Sequence, residues 1–148
     1  MRIYLKVKED IAGALRATTS IFLRSEDGNI IGIIEAIIDT GCPETIISSE
    51  DRKRIRASQI TVNSLKGKNG EIIIAGERIN TRRIDNMFIR IGKFDIEMPV
   101  YISLKSIDII KDEGPNYPIP SVIGMDFLLE TGFTLVFNPS KKIAYFEK

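Results

Sequence analysis

The sequence predicts a mainly β, single-domain protein over residues 1–148, with one or two short helices. Three observations support this fold class. A length of 148 residues suits one ordinary domain. Isoleucine, a β-branched residue that favours strands, occurs 28 times. Short apolar or alternating segments are separated by turns that contain glycine or proline, so we expect paired strands around one apolar core.

The first half of the chain contains four segments whose apolar residues alternate or run together between turn residues. These predicted strands span residues 2–7, 18–24, 30–38 and 60–65. The third ends on Ala36-Ile37-Ile38, which lacks a polar residue, so both of its faces should be buried. Ser48 precedes two acidic residues and is a predicted helix cap. We expect a largely solvated helix that ends near Ala57.

The second half contains two predicted hairpins. Ala75-Gly76-Glu77 separates predicted strands at 72–74 and 78–84, and Gly92-Lys93 separates strands at 86–91 and 94–102. Three prolines predict that residues 111–120 form a loop without regular structure. The remaining predicted elements are a short buried strand that ends at Gly124, a helix over 125–131, and a closing hairpin of strands 133–137 and 142–146.

The composition excludes several kinds of site. The chain has no histidine, which removes histidine-based triads and histidine-bound metals. Its one cysteine, Cys42, permits neither an intrachain disulfide nor a cysteine metal cluster, and it lacks the histidine partner of a reactive thiolate. We therefore interpret Cys42 as a small apolar filler and expect neither a metal nor another cofactor. An enzyme of this composition would use carboxylates, lysine or tyrosine as its acids and bases.

The charge is nearly balanced, with 21 Lys and Arg against 20 Asp and Glu and a formal net charge of +1. This balance gives no electrostatic argument for a nucleic-acid partner or an anionic membrane. No apolar run is long enough to span a bilayer, and residues 1–10 do not resemble a secretory signal. We expect a cytoplasmic protein.

Two apolar segments each lead into a glycine turn. Ile37-Ile38 runs directly into Asp39-Thr40-Gly41, and a buried carboxylate is costly unless it is hydrogen-bonded or paired. On this tripeptide alone, an ordinary turn after a strand is an equal alternative. Farther along, Val122-Ile123 leads into Gly124 and a predicted helix.

In this order, the segments resemble a retroviral-type (retropepsin-like) aspartic protease over about residues 20–146. Residues 37–41, with Thr45 four positions past the glycine, resemble the catalytic loop, and residues 72–84 resemble the flap. Residues 122–128, followed by 131–135, resemble the second apolar-glycine loop and the helix behind it. The resemblance implies a pepsin-like or retropepsin-like closed β-barrel-type domain, active as a homodimer, with residues 1–19 as an N-terminal extension.

The resemblance also implies an aspartic endopeptidase that cuts peptides bound in extended form. Such enzymes use two carboxylates that share one proton and activate a water. This chain has one Asp-Thr-Gly, so a two-fold dimer would bring together Asp39 of each subunit. In the implied roles, Asp39 is catalytic, the Thr40 hydroxyl bonds across the dimer axis, and Gly41 lets the substrate backbone approach.

Other implied roles concern substrate binding. The tip at Ala75, Gly76 and Glu77 would fold over the substrate, with residues 67–70 as the rival tip. Ile46 and Ile123 are candidates for apolar side-chain pockets, as are Ile47 and Val122. Ordinary core packing is the alternative for all four, and it is favoured for Ile47 and Val122.

Three residues have implied supporting roles, namely Thr45, Gly124 and Asp126. We expect the Asp126 carboxylate to hydrogen-bond to the catalytic loop near Thr45. The chain also departs from the family, because Pro43 and Met125 stand where retroviral members commonly have an acid and an arginine that pair near the dimer interface. The dimer must then be held differently.

Three questions stay open at the level of sequence. Residues 1–7 could add a strand to a dimer or form an edge strand on their own subunit. The same fold could serve as a non-catalytic peptide-binding or dimerisation module. The spacing Asp39-x-Gly41-x-x-x-Thr45 also resembles the first phosphate loop of actin-like nucleotide hydrolases, but the chain lacks the second such loop.

Overall fold

The structure is a computed structural model that describes residues 1–10, 13–27, 29–56, 69–74, 77–104, 109–110 and 117–148. The chain is mainly β, as the sequence predicts. The described strands are β1 Arg2–Tyr4, β2 Lys6–Glu9, β3 Leu15–Ser25, β4 Ile30–Ile38, β5 Ile46–Ile47, β6 Asn69–Ile74, β7 Glu77–Ile91, β8 Phe94–Ser103, β9 Ile109–Ile110, β10 Tyr117–Pro118, β11 Ser121–Ile123, β12 Thr134–Asn138 and β13 Ile143–Glu147. The described helices are α1 Ser49–Arg52 and α2 Met125–Thr131, with a 3-10 turn at Pro139–Lys141.

Six strands close into a ring in the order β3, β4, β11, β5, β8, β7 and back to β3. The pairs β4–β11 and β5–β8 are parallel, and the other four pairs are antiparallel. β2 extends the ring beside β3, and β6 extends it beside β7. Because β11 lies between β4 and β5, residues about eighty positions apart along the chain meet in the middle of the sheet.

The main core fills this ring. Alternate residues of β3 and β4, such as Leu23 and Ile34, point inward and are almost fully buried, as the period of a strand requires. One end of the core is aromatic. Phe127 of α2 packs against Phe146 with ring centroids 5.3 Å apart, and Phe94 meets Phe133 edge to face at 4.8 Å. These contacts fix α2 against the ring.

A second, three-stranded sheet joins the two ends of the chain. β13 lies between β1 and β12 and pairs antiparallel with both. Leu5 separates β1 from β2, and its N–H donates to Ala144 O at 2.9 Å. The single segment predicted at 2–7 is therefore two strands that join different sheets. Within this chain, Arg2–Tyr4 forms an edge strand on its own subunit, which is one of the two alternatives left open by the sequence.

The predicted cap of α1 is confirmed, because Ser48 Oγ accepts the Asp51 N–H at 3.2 Å. The predicted length and exposure are wrong. The helix ends at Arg52, and Arg56 adopts a left-handed conformation with φ 58° soon afterwards. Ser49, Asp51 and Arg52 are buried, because α1 packs on β8 and the Arg52 guanidinium donates to Ser103 O at 2.8 Å. The charged residues of this segment predicted a solvated helix, whereas contacts with distant parts of the chain bury three of its four residues.

Two further predictions need correction. The strands expected at 78–84 and 86–91 are one strand, β7, with an irregularity between Ile84 and Met87. Residues 111–120 are not wholly irregular, because Tyr117–Pro118 pairs with Ile109–Ile110. The strand predicted at 60–65 lies outside the described residues.

Candidate active site

The two glycine turns meet at one edge of the ring. β4 and β11 run parallel, with Ile37 beside Val122 and Ile38 beside Ile123. The Asp39 N–H then donates to Ile123 O at 3.1 Å. Since parallel neighbours end at the same edge, the turn after β4 and the turn after β11 lie side by side. The two segments that the sequence singled out are thereby brought together.

The first turn presents Asp39 at the surface. Asp39 is half-buried, and the two residues after it, Thr40 and Gly41, are exposed. The Gly41 N–H donates to Asp39 Oδ1 at 2.9 Å, and the Cys42 N–H donates to Asp39 O at 3.1 Å. A Cβ at position 41 would lie 3.1 Å from Asp39 Oδ1, which is tight. The turn therefore folds closely around its own carboxylate and holds it with a backbone donor.

The second turn is enclosed. A Cβ at Gly124 would lie 2.4 Å from Glu44 O and 2.7 Å from Cys42 O, so only glycine fits there. Immediately after it, the Met125 N–H donates to Cys42 O at 2.8 Å and the Asp126 N–H donates to Pro43 O at 3.0 Å. The start of α2 is thus bonded to the backbone of the first turn.

Side-chain hydrogen bonds complete the link between the turns. The Thr45 hydroxyl donates to Asp126 Oδ1 at 2.7 Å and accepts the Gly124 N–H at 3.1 Å. The Thr45 N–H donates to Asp126 Oδ2 at 2.8 Å. The expected bond between Asp126 and the loop near Thr45 is present. Thr45, Gly124 and Asp126, the three predicted supporting residues, form one connected hydrogen-bond network.

A small apolar cluster lies beside the turns and apart from the main core. Its buried members are Cys42, Ile46, Ile72 and Val122. Ile37 and Tyr101 pack against it from the side. By contrast, Ile47 and Ile123 belong to the main core. A role for Ile123 in substrate binding has no support from this placement, because its side chain is enclosed within the ring.

The predicted flap corresponds to the hairpin of β6 and β7, whose last paired residues are Ile74 and Glu77. Ala75 and Gly76, the predicted tip, lie outside the described residues. Glu77 belongs to β7. Of the rival tip at 67–70, residues 67 and 68 also lie outside the described residues, and 69 and 70 belong to β6. The described pairing ends at Ile74 and Glu77, whereas Asn69 and Gly70 of the rival tip are paired within the two strands.

Burial shapes the chemistry beside Asp39. Burial raises the pKa of the Cys42 thiol, although that group also donates to Glu44 O at 3.2 Å. A thiol that stays protonated and enclosed is a poor nucleophile, which agrees with the interpretation of Cys42 as a filler. Burial, with a smaller contribution from the charge of Asp126, raises the pKa of the Glu44 carboxyl.

Sequence reasoning missed a buried polar cluster behind the site. The Ser121 hydroxyl accepts the Ser48 N–H at 2.9 Å and donates to Asp51 Oδ2 at 2.7 Å. This cluster attaches the start of β11 to the segment between β5 and α1, and so fixes the strand that carries Gly124. The sequence contains one relevant signal, a lone hydroxyl at Ser121 directly before the apolar pair.

Comparison with known proteins adds no relative. No family model matches the chain, and a search of curated proteins finds no match. Within the described ranges, His, Cys, Asp and Glu side chains form no group of three or more that could hold a metal ion. Neither α1 nor α2, the helices among the described residues, has the length and apolar character needed to cross a membrane.

Proposed function

We propose that this protein is an aspartic endopeptidase that acts as a homodimer on extended peptides. One observation carries the proposal. A half-buried aspartate, Asp39, directly follows β4, whose last three residues are buried or half-buried, and one of its carboxylate oxygens accepts the Gly41 N–H at 2.9 Å. The loop that carries Asp39 is held to the second turn by the hydrogen bonds between Thr45 and Asp126. A carboxylate held at the surface on a rigid base suits acid-base chemistry better than it suits an ordinary turn.

The proposed mechanism uses the Asp39 carboxyl groups of two subunits. Two such groups in contact share one proton, because like charges repel. The ionised carboxylate takes a proton from a water, whose oxygen attacks the peptide carbonyl carbon. The protonated carboxyl gives its proton to the carbonyl oxygen. The tetrahedral intermediate, which carries two hydroxyl groups, collapses as the C–N bond breaks: the amine leaves with a proton from the dyad, and one hydroxyl gives its proton to the dyad as the carboxylic acid forms. Each cycle consumes one water and restores the shared proton.

The second subunit would pack beside the open turn. Leu129 of α2 is 78% exposed, the highest value among the large apolar side chains that the structure describes. Met125 lies one helical turn earlier and is partly exposed, and the exposed Pro43 is bonded to the start of the same helix. We propose that this patch of Pro43, Met125 and Leu129 replaces the acid-arginine pair of retroviral members in the dimer. The proposed compartment is the cytoplasm.

The decisive experiment compares the wild type with Asp39→Asn on a diverse peptide library, with cleavage read by mass spectrometry from acid to neutral pH. We expect Asp39→Asn to lose at least about a thousandfold in rate, because an amide cannot act as the general base. Asp27→Asn, at an exposed turn outside the site, is the matched control and should cleave as the wild type does. Wild-type activity should be greatest in acid.

Sedimentation of the same samples tests the dimer. The active wild-type species should have twice the mass of the chain, and Leu129→Arg should shift the mass and the activity toward the monomer together. An Asp39→Asn protein that cleaves normally, or a fully active monomer, would overturn the proposal. Peptide binding without turnover at every pH would instead favour the non-catalytic binding module.

A further inference from the structure

The outward face of the sheet formed by β1, β13 and β12 contains a groove of about 470 Å³, which we name the terminal groove. Its walls include Tyr4, Val136, Ile143 and Tyr145. Tyr4 and Tyr145 are directly opposite each other in the β1–β13 register, with ring centroids 5.8 Å apart. Tyr4 is 70% exposed and Ile143 is 42% exposed. The groove therefore offers apolar and aromatic surface to solvent at a place where the sheet has no covering layer among the described residues.

The charges at this groove are all positive. Arg2, Lys141 and Lys142 line it, and no acidic residue does so within the described part of the chain. Arg2 is already engaged, because it pairs with Glu147 at 2.7 Å and its guanidinium lies 4.6 Å from the Tyr145 ring centroid. Among the described residues, neither lysine forms an ion pair. Two ammonium groups are thus available to a ligand.

The turn between β12 and β13 fixes the backbone that carries these lysines. Asn138 Oδ1 accepts the Lys141 N–H at 3.2 Å, and the Lys142 N–H donates to Pro139 O at 3.1 Å. Lys142 has a left-handed conformation with φ 52°. Because the backbone is held in this way, binding need not order the turn, which lowers the entropic cost of association.

We propose that the terminal groove binds a short acidic peptide segment of another protein, with an apolar side chain placed between Tyr4 and Ile143. Charge complementarity with Lys141 and Lys142 selects carboxylates over neutral peptides. β1 pairs on one edge with β13, and no described strand covers its other edge, so backbone groups of an extended segment can pair there.

A nucleic acid fits this surface less well than an acidic peptide does. Nucleic-acid sites extend a series of cations along many phosphates, whereas this groove has two unpaired ammonium groups. The Tyr145 ring, which could stack on a base, is already covered by the Arg2 guanidinium. The chain as a whole has a net charge of +1.

This proposal does not depend on the proposed function. The groove shares no residue with the turns at Asp39 and Gly124, so peptide bound there would be held and not cut. In a peptidase, such a groove would recruit proteins that contain acidic segments. In a binding module, it would be a second binding surface.

The test measures fluorescence anisotropy of a labelled short peptide of alternating Glu and Leu, with Gln in place of Glu in the matched peptide. The titrated protein carries Asp39→Asn, so that cleavage does not complicate the measurement. We expect the acidic peptide to bind at least about tenfold more tightly than the Gln peptide, and to bind more weakly as salt is added.

Two double variants then locate the binding surface. Lys141→Glu with Lys142→Glu should weaken the acidic peptide at least about tenfold. Lys53→Glu with Lys93→Glu makes the same change in net charge at exposed positions elsewhere, and should leave the affinity within about twofold. Circular dichroism of each variant shows whether it is folded. Tyr4→Ser tests the apolar part of the groove without a change in net charge, and it should also weaken binding of the acidic peptide.

Four outcomes would overturn the proposal. The two double variants could weaken binding equally, which would make the effect one of net charge. The Gln peptide could bind as tightly as the acidic one. A single-stranded oligonucleotide could bind more tightly than the peptide and compete with it. Finally, sedimentation could show that Lys141→Glu with Lys142→Glu changes the mass of the protein, in which case the groove contacts a second copy of this chain.

Discussion

The turn after β4 and the turn after β11 have similar sequences and opposite environments. Each follows an apolar pair, Ile37-Ile38 or Val122-Ile123, and each contains a glycine near an aspartate. Gly41 is exposed, and the nearest atom to a Cβ there would be Asp39 Oδ1 at 3.1 Å. Gly124 is buried against the backbone of Glu44 and Cys42. One turn presents a carboxylate, and the other packs beneath it.

The two aspartates are both half-buried, and they differ in their hydrogen bonds. Asp126 Oδ1 and Oδ2 together accept the Thr45 hydroxyl, the Thr45 N–H and the Phe127 N–H. Asp39 Oδ1 accepts the Gly41 N–H. A carboxylate that accepts three hydrogen bonds acts as a structural brace, whereas one that accepts a single bond keeps oxygen lone pairs for a ligand. Similar local sequences therefore acquire different roles from what packs against them.

The largest effect should come from the two glycines. Gly124→Ala should lower the free energy of unfolding by about 3 kcal/mol or more, since the added methyl would meet backbone atoms that cannot move aside. Gly41→Ala should cost no more than about 1 kcal/mol, because its methyl would meet one side-chain oxygen.

Urea denaturation of both variants measures this difference. Equal losses would show that the two turns are equally constrained. If the proposed function is correct, Gly41→Ala should also reduce peptide cleavage while remaining folded, because the methyl would displace the Asp39 carboxylate.

An intermediate effect should come from Thr45, which joins the two turns. Thr45→Val should lower the free energy of unfolding by about 1–3 kcal/mol, because the Gly124 N–H is left buried without its acceptor. Thr45→Ser keeps the hydroxyl and should lower the free energy of unfolding by less. If urea denaturation shows that Thr45→Ser costs as much stability as Thr45→Val, the methyl group contributes as much as the hydrogen bonds, and the prediction is wrong.

The smallest effect should come from Glu44, on the loop between the turns. Burial and the charge of Asp126 raise its pKa in the folded protein above the ordinary value of 4.5. The folded state then holds more protons than the unfolded state between these two pKa values, so this group lowers stability as the pH rises through that interval.

Glu44→Gln removes the charge, so it should be slightly more stable than the wild type at neutral pH, by less than about 0.5 kcal/mol. The advantage should vanish below about pH 4.5, where the wild-type carboxyl is protonated in both states. Thermal denaturation as a function of pH measures the difference, with the exposed Glu130→Gln as a control for the loss of one charge. A constant offset at every pH would contradict the assignment.

Much of the fold follows from local sequence. The apolar run 30–38 is β4 with the predicted bounds, and the helix predicted at 125–131 is α2. The glycine in the left-handed conformation that ends α2, Gly132 with φ 73°, is an ordinary stop signal. Elements whose period and boundary residues agree are predictable, because the information lies within a few residues of the chain.

The exposure of α1 was not predictable in the same way. Glu50, Asp51 and Arg52 are a typical solvated first turn by composition. The burial of Arg52 and Asp51 comes with their hydrogen bonds to Ser103 and Ser121, which lie 51 and 70 positions away along the chain. A buried polar group is stable only with its partners in place. The local sequence of α1 does not contain these partners, which come from β8 and β11 in the folded protein.

The sequence by itself determined which residues can do chemistry. The chain has no histidine and one cysteine, so its candidate acids and bases are carboxylates, lysine and tyrosine, and its one Asp-Thr-Gly singles out Asp39 for the proposed function. Only the tertiary structure decided that Asp126 is hydrogen-bonded to the neighbouring turn, whereas Asp39 is hydrogen-bonded within its own turn. The parallel pairing of β4 with β11 places the two turns side by side, so that the Thr45 N–H and hydroxyl reach the Asp126 carboxylate.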